Sequence, residues 1–303
     1  MDIGVLKVFR TVAEEGSISK AAHKLNYVQS NVTARMQQLE QELKTPLFYR
    51  HSRGITLTSA GQTLLEYTEK ILNLLEEAEK AVVDTPIPKG SITVGSDTTS
   101  AVRLPVILSA YRGKFPEVEV HLEIGRNAQL INAVLQYSIN GALVDGPVEH
   151  PEIVQELVIN ERLGLIIPEG MDFQGLTSIQ DMTLMLLNED CIYRHKLEEW
   201  LRDEGFRLAK VMQFGTMEGL LGCVKAGIGF SILPVSYFDK MNVKDGIRYY
   251  FFPERYGEVP VVFIRRHDLY MTSAFRKFIE ELKAQLLGAI SCGEEAHEAY
   301  GHS

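Results

Sequence analysis

The spacing of apolar residues divides the chain into three zones. In residues 1–58 the apolar side chains recur at the three- and four-residue intervals of short amphipathic helices. Residues 59–83 keep such a pattern without interruption, which predicts one long helix. Pro86, Pro88 and Gly90 cannot continue that helix and mark a boundary. Beyond it, short apolar runs alternate with helical patterns, which is the order of an α/β domain.

The first zone predicts three helices in close succession. An apolar face from residue 5 to residue 13 defines the first helix, and Gly16 ends it. The second helix covers residues 20–25 and carries two adjacent alanines, which allow another helix to pack closely over them. A three-residue turn then leads to a third helix over residues 29–43.

The second and third helices, joined by so short a turn, have the geometry of a helix-turn-helix. In that unit the second helix enters the major groove of DNA with its N-terminal residues foremost. Polar side chains that can hydrogen-bond to base edges lie at this leading end. The candidate DNA contacts here are Ser19, Gln29, Ser30, Asn31, Thr33 and Arg35. From composition alone, solvated polar residues on an ordinary helix are an equally good interpretation.

Residues 46–58 predict a hairpin that shifts this balance toward DNA binding. The segment reads as an apolar and aromatic strand, a basic turn and a β-branched strand. Arg50 and Arg53 near the tip suit phosphates or the narrow minor groove. The hairpin is therefore a candidate wing beside a recognition helix.

From Phe9 to Gly61 the chain resembles the LysR-type transcriptional regulators. The matching motifs are Gly16-Ser17-Ile18-Ser19, Ala21-Ala22, Gln29-Ser30-Asn31-Val32, Leu39-Glu40, Leu47-Phe48 and Leu57-Thr58. The resemblance implies an α/β multidomain protein with an N-terminal all-α winged helix-turn-helix, a long linker helix and a two-lobed α/β effector domain of the periplasmic-binding-protein type. Ser30 stands where the family usually has proline, which would only pre-set the start of the helix.

The long helix predicted over residues 59–83 carries two interleaved heptad series. They are Leu64, Ile71 and Ala78, and Thr68, Leu75 and Val82. Such series form the seam of a coiled coil, and in the resembled family this helix pairs two chains. The alternative is a helix packed against its own domain.

Beyond residue 90 the pattern predicts an α/β domain built on parallel sheets. The predicted strands are 91–95, 118–124, 141–144, 163–167, 185–187, 211–214, 230–233 and 260–264. The predicted helices are 104–114, 129–137, 196–204, 217–225 and 272–287. Residues 291–303 are polar and lack periodicity, which predicts an unstructured tail.

The resemblance continues more loosely over this domain and divides the chain into parts. It implies a DNA-binding domain over 1–58, a dimerising helix and hinge over 59–90, and an effector domain over 91–290. The effector domain would comprise one lobe of 91–161 with 267–290 and a second lobe of 162–266. A small-molecule effector is expected between the lobes, near strand C-termini and helix N-termini.

The candidate effector contacts are polar residues at predicted strand-to-helix steps. They are Ser96, Thr98, Thr99, Ser100, Asn127, Asp145, Arg194 and Thr216. Backbone N–H groups at such steps can hold an oxyanion, although Thr99 or Ser100 can equally serve as a helix cap. Asp97 and Asp145 would disfavour a simple anion, which leaves a cationic or zwitterionic effector open. Asn140 departs from the acid that the family usually has, which weakens the transfer of effector contacts there.

The net charge of −9 is unevenly spread. Residues 1–58 carry eight basic and five acidic side chains, whereas the remainder carries 23 basic and 35 acidic ones. A DNA contact needs only a local cationic face, so the acidic total does not exclude it. The sequence shows no membrane-length apolar run, no signal-peptide pattern and only three cysteines, which together predict a cytoplasmic protein.

Three other function classes fit less well. A solute-binding protein shares the two-lobed fold but has a signal peptide and no helix-turn-helix. A hydrolase would carry a Gly-x-Ser-x-Gly or His-Glu-x-x-His motif, and neither occurs. Metal or redox sensing is a minor alternative, since Cys191 and His195 alone do not close a metal site and Cys223 fits a buried inert thiol.

We therefore expect a DNA-binding regulator that is not an enzyme and needs no cofactor or metal. The expected partners are a double-stranded DNA operator, a small-molecule effector, RNA polymerase and further copies of the chain in a dimer or tetramer. The family usually assembles as a tetramer, which can bend the DNA between two bound sites. No membrane partner is expected.

Overall fold

The computed structural model describes residues 1–51, 54–187, 192–207, 210–240 and 245–297. Its N-terminal part contains the helices α1 (Ile3–Glu15), α2 (Ile18–Lys24) and α3 (Gln29–Leu43). The hairpin strands β1 (Phe48–His51) and β2 (Gly54–Leu57) follow, and they pair antiparallel. The long helix α4 (Ser59–Val83) comes next. The predicted bounds of α3 and α4 are confirmed.

Local signals fix these boundaries. The Asp2 carboxylate caps α1 by accepting from the Val5 N–H at 2.9 Å, and Gly16 ends the helix at φ 58°. Thr58 caps α4, because its hydroxyl accepts from the Gly61 N–H at 2.9 Å. Gly54 has φ 141°, and a Cβ at that position would lie 2.6 Å from the Gly16 carbonyl oxygen. The hairpin can therefore press against the end of α1 only if this residue is glycine.

The head formed by residues 1–58 has its own small core. The buried side chains come from all three helices and the hairpin: Val8, Phe9, Val12, Ala21, Ala22, Val32, Met36, Leu39, Leu47 and Phe48. Both alanines are almost fully buried, as expected where two helices pack closely. This packing fixes which face of α3 turns outward.

Beyond residue 89 strands and helices alternate as predicted. The strands are β3 (Gly90–Ser96), β4 (Val118–Ile124), β5 (Gly141–Asp145), β6 (Ile153–Pro168), β7 (Thr183–Leu186), β8 (Lys210–Gln213), β9 (Gly229–Pro234), β10 (Ile247–Phe251) and β11 (Glu258–Arg266). The helices are α5 (Leu104–Lys114), α6 (Asn127–Leu135), α7 (Ile192–Asp203), α8 (Met217–Lys225), α9 (Val235–Lys240), α10 (Glu254–Gly257) and α11 (Ser273–His297). Short 3-10 turns cover Ser100–Arg103 and Leu176–Ser178.

Two lobes share the strand β6. Its first half pairs with β11, in a sheet that continues through β5 and β3 to β4. Its second half pairs with β9 and β10, in a sheet that continues through β7 to β8. The pairs of β3 with β4 and β5, and of β7 with β8 and β9, are parallel, whereas β6, β10 and β11 run antiparallel to their neighbours. Each lobe therefore has a parallel centre, as predicted, beside antiparallel crossing strands.

The predicted lobe boundaries need correction at both crossings. The expectation placed residues 162–266 in the second lobe. However, β11 pairs with β5 and with β6 from Ile153 to Arg162, so residues 258–266 belong to the first lobe. A buried apolar run such as that of β11 does not reveal which sheet it joins. The first lobe comprises 90–162 and the residues from 258 onward, and the second comprises 163–257.

The C-terminal helix also departs from the expectation. The helix α11 continues to His297, so the unstructured tail expected from residue 291 is wrong for residues 291–297. No proline interrupts these residues, and extending an existing helix requires no new nucleation. Residues 298–303 lie outside the described residues.

Candidate DNA-binding head and interlobe cleft

The leading turn of α3 carries an exposed polar surface. Gln29, Ser30 and Asn31 are all exposed, whereas Val32 and Met36 on the opposite face are buried in the head. Val28 precedes the helix without a side-chain cap, so the first N–H groups of α3 are not covered by a capping side chain. Ser19 is exposed on the neighbouring helix α2. All four of these predicted residues are thus exposed on the outer surface of α2 and α3.

Thr33 and Arg35 lie one turn further along α3 and are half-buried. The Thr33 hydroxyl donates to the Gln29 carbonyl at 2.9 Å, and the Arg35 Nε donates to the Asn31 Oδ1 at 2.8 Å. The Arg35 guanidinium also lies 5.5 Å from the Tyr27 ring centroid. The Asn31 amide and the Arg35 guanidinium therefore hold each other in place before any base is bound.

The hairpin is attached to the end of α3 through Glu40. One oxygen of the Glu40 carboxylate accepts from the Leu47 N–H at 2.8 Å and from the Phe48 N–H at 3.2 Å. The other oxygen lies 3.9 Å from the Arg50 guanidinium. No role was predicted for Glu40, although its carboxylate fixes the hairpin relative to α3. Arg50 is exposed, and Arg53 lies outside the described residues.

A cavity of about 790 Å³ lies between the two lobes. Its polar walls come from the ends of the parallel strands and the starts of α6, α7 and α8, as expected for such folds. The polar and charged residues that line it are Asp97, Thr98, Thr99, Arg126, Asn127, Gln129, Asp145, Tyr193, Gln213, Thr216 and Ser231.

Five of the eight predicted effector residues line this cavity: Thr98, Thr99, Asn127, Asp145 and Thr216. The other three do not. The Ser96 side chain is fully buried and its hydroxyl donates to the Asp97 carbonyl at 3.0 Å, while Ser100 is buried behind the Asp97 carboxylate. Arg194 lies on α7 and its Nε donates to the Glu198 carboxylate at 2.7 Å.

Tyr193, the residue next to Arg194, lines the cavity where Arg194 was predicted to lie. Tyr193 is buried and its hydroxyl bridges the lobes: it lies 2.8 Å from the Thr99 hydroxyl and 3.1 Å from the Asp145 Oδ1. Because α7 already begins at Ile192, successive side chains are turned by about 100° and Arg194 faces away from Tyr193. The helix predicted over residues 196–204 began too late to include Tyr193.

Asp145 is held from two sides. The Asn127 amide donates to the Asp145 carbonyl at 3.2 Å, and the Asn127 Oδ1 accepts from the Asp145 N–H at 3.3 Å. Burial and, to a smaller extent, the negative charge of Asp97 raise the pKa of the Asp145 carboxyl to about 7. Hydrogen bonds from Tyr193 and Asn127 act in the opposite direction but do not outweigh these effects.

Asp97 has one satisfied and one unsatisfied carboxylate oxygen. Its Oδ1 accepts from the Thr99 N–H at 2.8 Å, from the Thr99 hydroxyl at 2.6 Å and from the Ser100 N–H at 3.0 Å. Its Oδ2 is buried with no hydrogen-bond partner among the described residues. The buried Arg103 lies close enough to influence this carboxylate, but it is paired with Glu161.

The helix α6 connects this cleft to the linker helix. Its first residue, Asn127, holds Asp145 at the cleft. At its other end the Asn73 amide of α4 donates to the Gln136 carbonyl at 2.9 Å and to the Ser138 hydroxyl at 3.1 Å. The linker helix is thus in direct contact with an element whose opposite end borders the cavity.

The linker helix α4 packs on one side and is exposed on the other. Thr68 and Leu72 are buried against the chain itself, which agrees with the second of the two interpretations of this helix. The exposed large apolar residues of this helix are Tyr67, Ile71, Leu74, Val82 and Val83. Because Thr68 is covered, the predicted series of Thr68, Leu75 and Val82 cannot serve unchanged as a seam between chains.

The structure gives no support to metal sensing among the residues it describes. No cluster of three or more potential metal ligands occurs in the described parts of the chain. Cys223 is a free cysteine among apolar neighbours, as expected, but it is only partly buried, and Cys191 lies outside the described residues. No described helix is long and apolar enough to cross a membrane.

The Asn140 side chain accepts from the Thr93 N–H at 2.7 Å and serves the sheet rather than the cavity.

Two family models match consecutive parts of the sequence. The model described as "Bacterial regulatory helix-turn-helix protein, lysR family" matches residues 3–62. The model described as "LysR substrate binding domain" matches residues 87–287. Together they cover most of the chain.

Characterised relatives match over nearly the whole chain. The HTH-type transcriptional regulator GltR of Bacillus subtilis is 44% identical over 285 residues, which is 93% of this chain and 96% of that protein. The HTH-type transcriptional regulator SoxR of an Arthrobacter species is 44% identical over 283 residues, covering 93% and 97%. CzcR of Bacillus anthracis is 41% identical with the same coverage.

Solved structures share the fold at lower sequence identity. Full-length CbnR in complex with its target DNA superimposes with a TM-score of 0.69 at 22% identity, covering 94% of this chain and all of that one. A full-length OxyR variant from Pseudomonas aeruginosa gives a TM-score of 0.68 at 19% identity, covering 94% of each chain.

Proposed function

The chain belongs to the LysR family of DNA-binding transcriptional regulators, and we propose that it recognises its operator through the leading turn of α3 and the hairpin. The family's members regulate transcription through an effector-binding domain and are not enzymes. The observation that carries the proposal is the exposed set of Gln29, Ser30 and Asn31, backed by a buried face that fixes its orientation. Glutamine and asparagine can each make two hydrogen bonds to adenine.

Arg35 and the wing have different parts in this proposal. Arg35 would contact a guanine once DNA competes for its hydrogen bond with Asn31. Thr33 and Ser19 support the same surface from the second turn of α3 and from α2. Arg50 and Arg53 contact phosphates or the minor groove beside the recognition helix.

The effector binds in the interlobe cavity and acts on the head through α6. A ligand that changes the spacing of the lobes changes the contact of Tyr193 with Asp145, and Asn127 joins Asp145 to the start of α6. The far end of α6 is bonded to Asn73 of the linker helix. The ligand can shift this equilibrium only through different affinities for the two arrangements.

Two copies form a dimer through the exposed apolar stripe of α4. Two dimers then assemble into a tetramer. Tyr67, Ile71 and Leu74 lie at intervals of four and three residues, which is the spacing of a coiled-coil seam. Two heads then contact two half-sites about one or more helical turns apart. The assembly acts in the cytoplasm and controls the access of RNA polymerase to the promoter.

A selection of genomic DNA fragments by the purified full-length protein tests the proposed function. Sequencing of the retained fragments should return a shared motif with two-fold symmetry. The Gln29→Ala variant should return a degenerate motif, while the Gln41→Ala variant, changed on an exposed residue near the far end of α3, should return the original one. A motif that is unchanged by Gln29→Ala would contradict the assignment of the recognition surface.

A further inference from the structure

The hydrogen-bond chain across the cleft has fewer protons than contacts. Three oxygen-to-oxygen contacts follow one another: Thr99 to the Asp97 Oδ1 at 2.6 Å, Thr99 to Tyr193 at 2.8 Å, and Tyr193 to the Asp145 Oδ1 at 3.1 Å. Only the two hydroxyl groups carry a proton when both carboxyls are ionised, a state that Asp145, whose pKa is raised to about 7, reaches as the pH rises above that value. The Thr99 proton is committed to Asp97, so the Tyr193 proton can serve either Thr99 or Asp145, and one contact stays without a proton.

A second observation also indicates that hydrogen-bond donors are missing at this end of the cavity. Asp97 is only 7% exposed, borders the cavity and has a buried Oδ2 without any hydrogen-bond partner among the described residues. A buried carboxylate oxygen in this condition lacks the donor that normally compensates its loss of water. Asp97 and Asp145 thus both call for additional N–H or O–H donors at one end of the cavity.

The positive charges near this end do not supply those donors. Arg103, the buried arginine beneath Asp97, is already paired with Glu161, whose second oxygen accepts from the Ser236 hydroxyl at 2.6 Å. Among the described residues that line the cavity, Arg126 is the one basic residue, and it is exposed. A purely anionic effector would meet two buried carboxylates without a matching cation.

Building on the proposed function, we infer that the effector is a small organic molecule with an ammonium group, which is bound between Asp97 and Asp145 beside the Tyr193 hydroxyl. An ammonium group carries three N–H donors and a positive charge, so one group supplies the missing proton and compensates both carboxylates. A metal ion fits less well, because the described residues place no third histidine, cysteine, aspartate or glutamate beside these two. The remaining wall is largely apolar and suits a carbon body: Ile124, Ile131, Leu186, Phe214, Met217 and Leu233.

Matched sets of compounds test this inference on the full-length protein. Thermal unfolding identifies the compounds that stabilise the protein, and titration calorimetry then measures their affinity. Each set shares one carbon body and differs in charge: phenethylamine, phenylalanine and 3-phenylpropionate, and pentylamine, norleucine and hexanoate. The remaining natural amino acids, diamines and polyamines complete the panel at millimolar concentration. At least one amine or amino acid should raise the melting temperature, whereas the matched carboxylates should not. Whether amines or amino acids bind distinguishes a cationic from a zwitterionic effector.

Variants locate the binding. Asp97→Asn and Asp145→Asn keep the shape of each side chain and should weaken binding of the active compound at least about tenfold, as expected for the loss of a charged hydrogen bond. Glu123→Gln removes one exposed negative charge from β4 outside the cavity and should leave the affinity unchanged. The melting curve of each unliganded variant shows that it is folded.

Two results would overturn the inference: no stabilisation by any ammonium compound in the panel, whether or not a carboxylate stabilises, or undiminished binding in both aspartate variants. The fragment selection is run on the same preparation. A shared motif combined with any of these results would refute the ammonium site alone. The absence of any motif would refute the proposed DNA-binding function itself.

Discussion

The DNA-binding head and the interlobe cleft place their polar groups in opposite ways. In the head, Gln29, Ser30 and Asn31 point into solvent from a rigid helix with a small apolar core behind it. In the cleft, Asp97 and Tyr193 are buried, and one carboxylate oxygen of Asp97 has no hydrogen-bond partner among the described residues. An exposed surface of this kind can contact a DNA groove without rearrangement. The cleft, in contrast, needs a ligand that donates hydrogen bonds to its carboxylates.

The largest expected effect concerns the head and its sequence preference. Gln29→Ala should reduce the preference for the operator over a scrambled duplex by about 1–3 kcal/mol, which is the discrimination of one two-bonded base contact. Fluorescence anisotropy with both duplexes at fixed salt measures the ratio. An equal loss of affinity for both duplexes would assign Gln29 to phosphate binding instead.

The free energy of unfolding should depend on pH because the Asp145 carboxyl is buried in the cleft. The pKa of Asp145 is raised from 3.8 to about 7 in the folded protein, so the folded state retains a proton that the unfolded chain releases. The stability of the wild type should therefore fall as the pH rises from about 4 to about 7. Asp145→Asn should remove this loss and stabilise the protein by about 1–3 kcal/mol at pH 8, with little effect near pH 4.

Thermal unfolding of both proteins at each pH measures the difference. Asp268 offers a control, because its pKa is held well below its usual range by the Arg266 guanidinium, and Asp268→Asn should destabilise at both pH values. An Asp145→Asn variant that is destabilised at pH 8 would contradict the buried-charge account of the cleft.

A weaker and less specific effect is expected at the wing. Arg50 lies 3.9 Å from Glu40 and is exposed, so its release for a phosphate costs little. Arg50→Gln should weaken binding to every duplex alike and reduce the slope of log affinity against log salt by about one. A salt series on operator and scrambled DNA measures this. An effect confined to the operator would show that Arg50 contacts bases.

The smallest effect is expected at the contact between the linker helix α4 and the end of α6, which connects the head with the cleft. Asn73→Ala removes two hydrogen bonds between α4 and the end of α6. DNA affinity without effector should change less than twofold, since the exposed face of α3 is untouched, whereas the response to effector should diminish. Gln62→Ala, on an exposed residue of the same helix, is the control. An unchanged effector response would exclude α6 as the connecting element.

The head was largely predictable because its signals are local. Gly16 at positive φ and the Thr58 cap act within a few residues, and each marks the end of an element. The α3 bounds at residues 29 and 43 were also predicted, although Val28 provides no side-chain cap. The attachment of the wing through Glu40 escaped prediction, because it depends on contacts seven and eight residues away between separate elements.

The cleft was predictable only in outline. Strand-to-helix steps gave Thr99, Asn127 and Thr216, because such steps converge at one edge of a parallel sheet. Tyr193 was missed, since its partners are 48 and 94 residues away and its orientation depends on where α7 begins. The pairing of β11 with the first lobe was missed for a related reason: an apolar run does not specify its neighbour in a sheet.

The central claim is that this chain binds its own operator specifically through the head. The most direct test is fluorescence anisotropy of the full-length protein on the duplex upstream of its own gene and on a scrambled duplex, over a salt series. The account predicts tighter binding to the upstream duplex, with affinity for both duplexes falling as salt rises. Equal affinity for the two duplexes at every salt concentration, together with no enriched motif in the fragment selection, would contradict it.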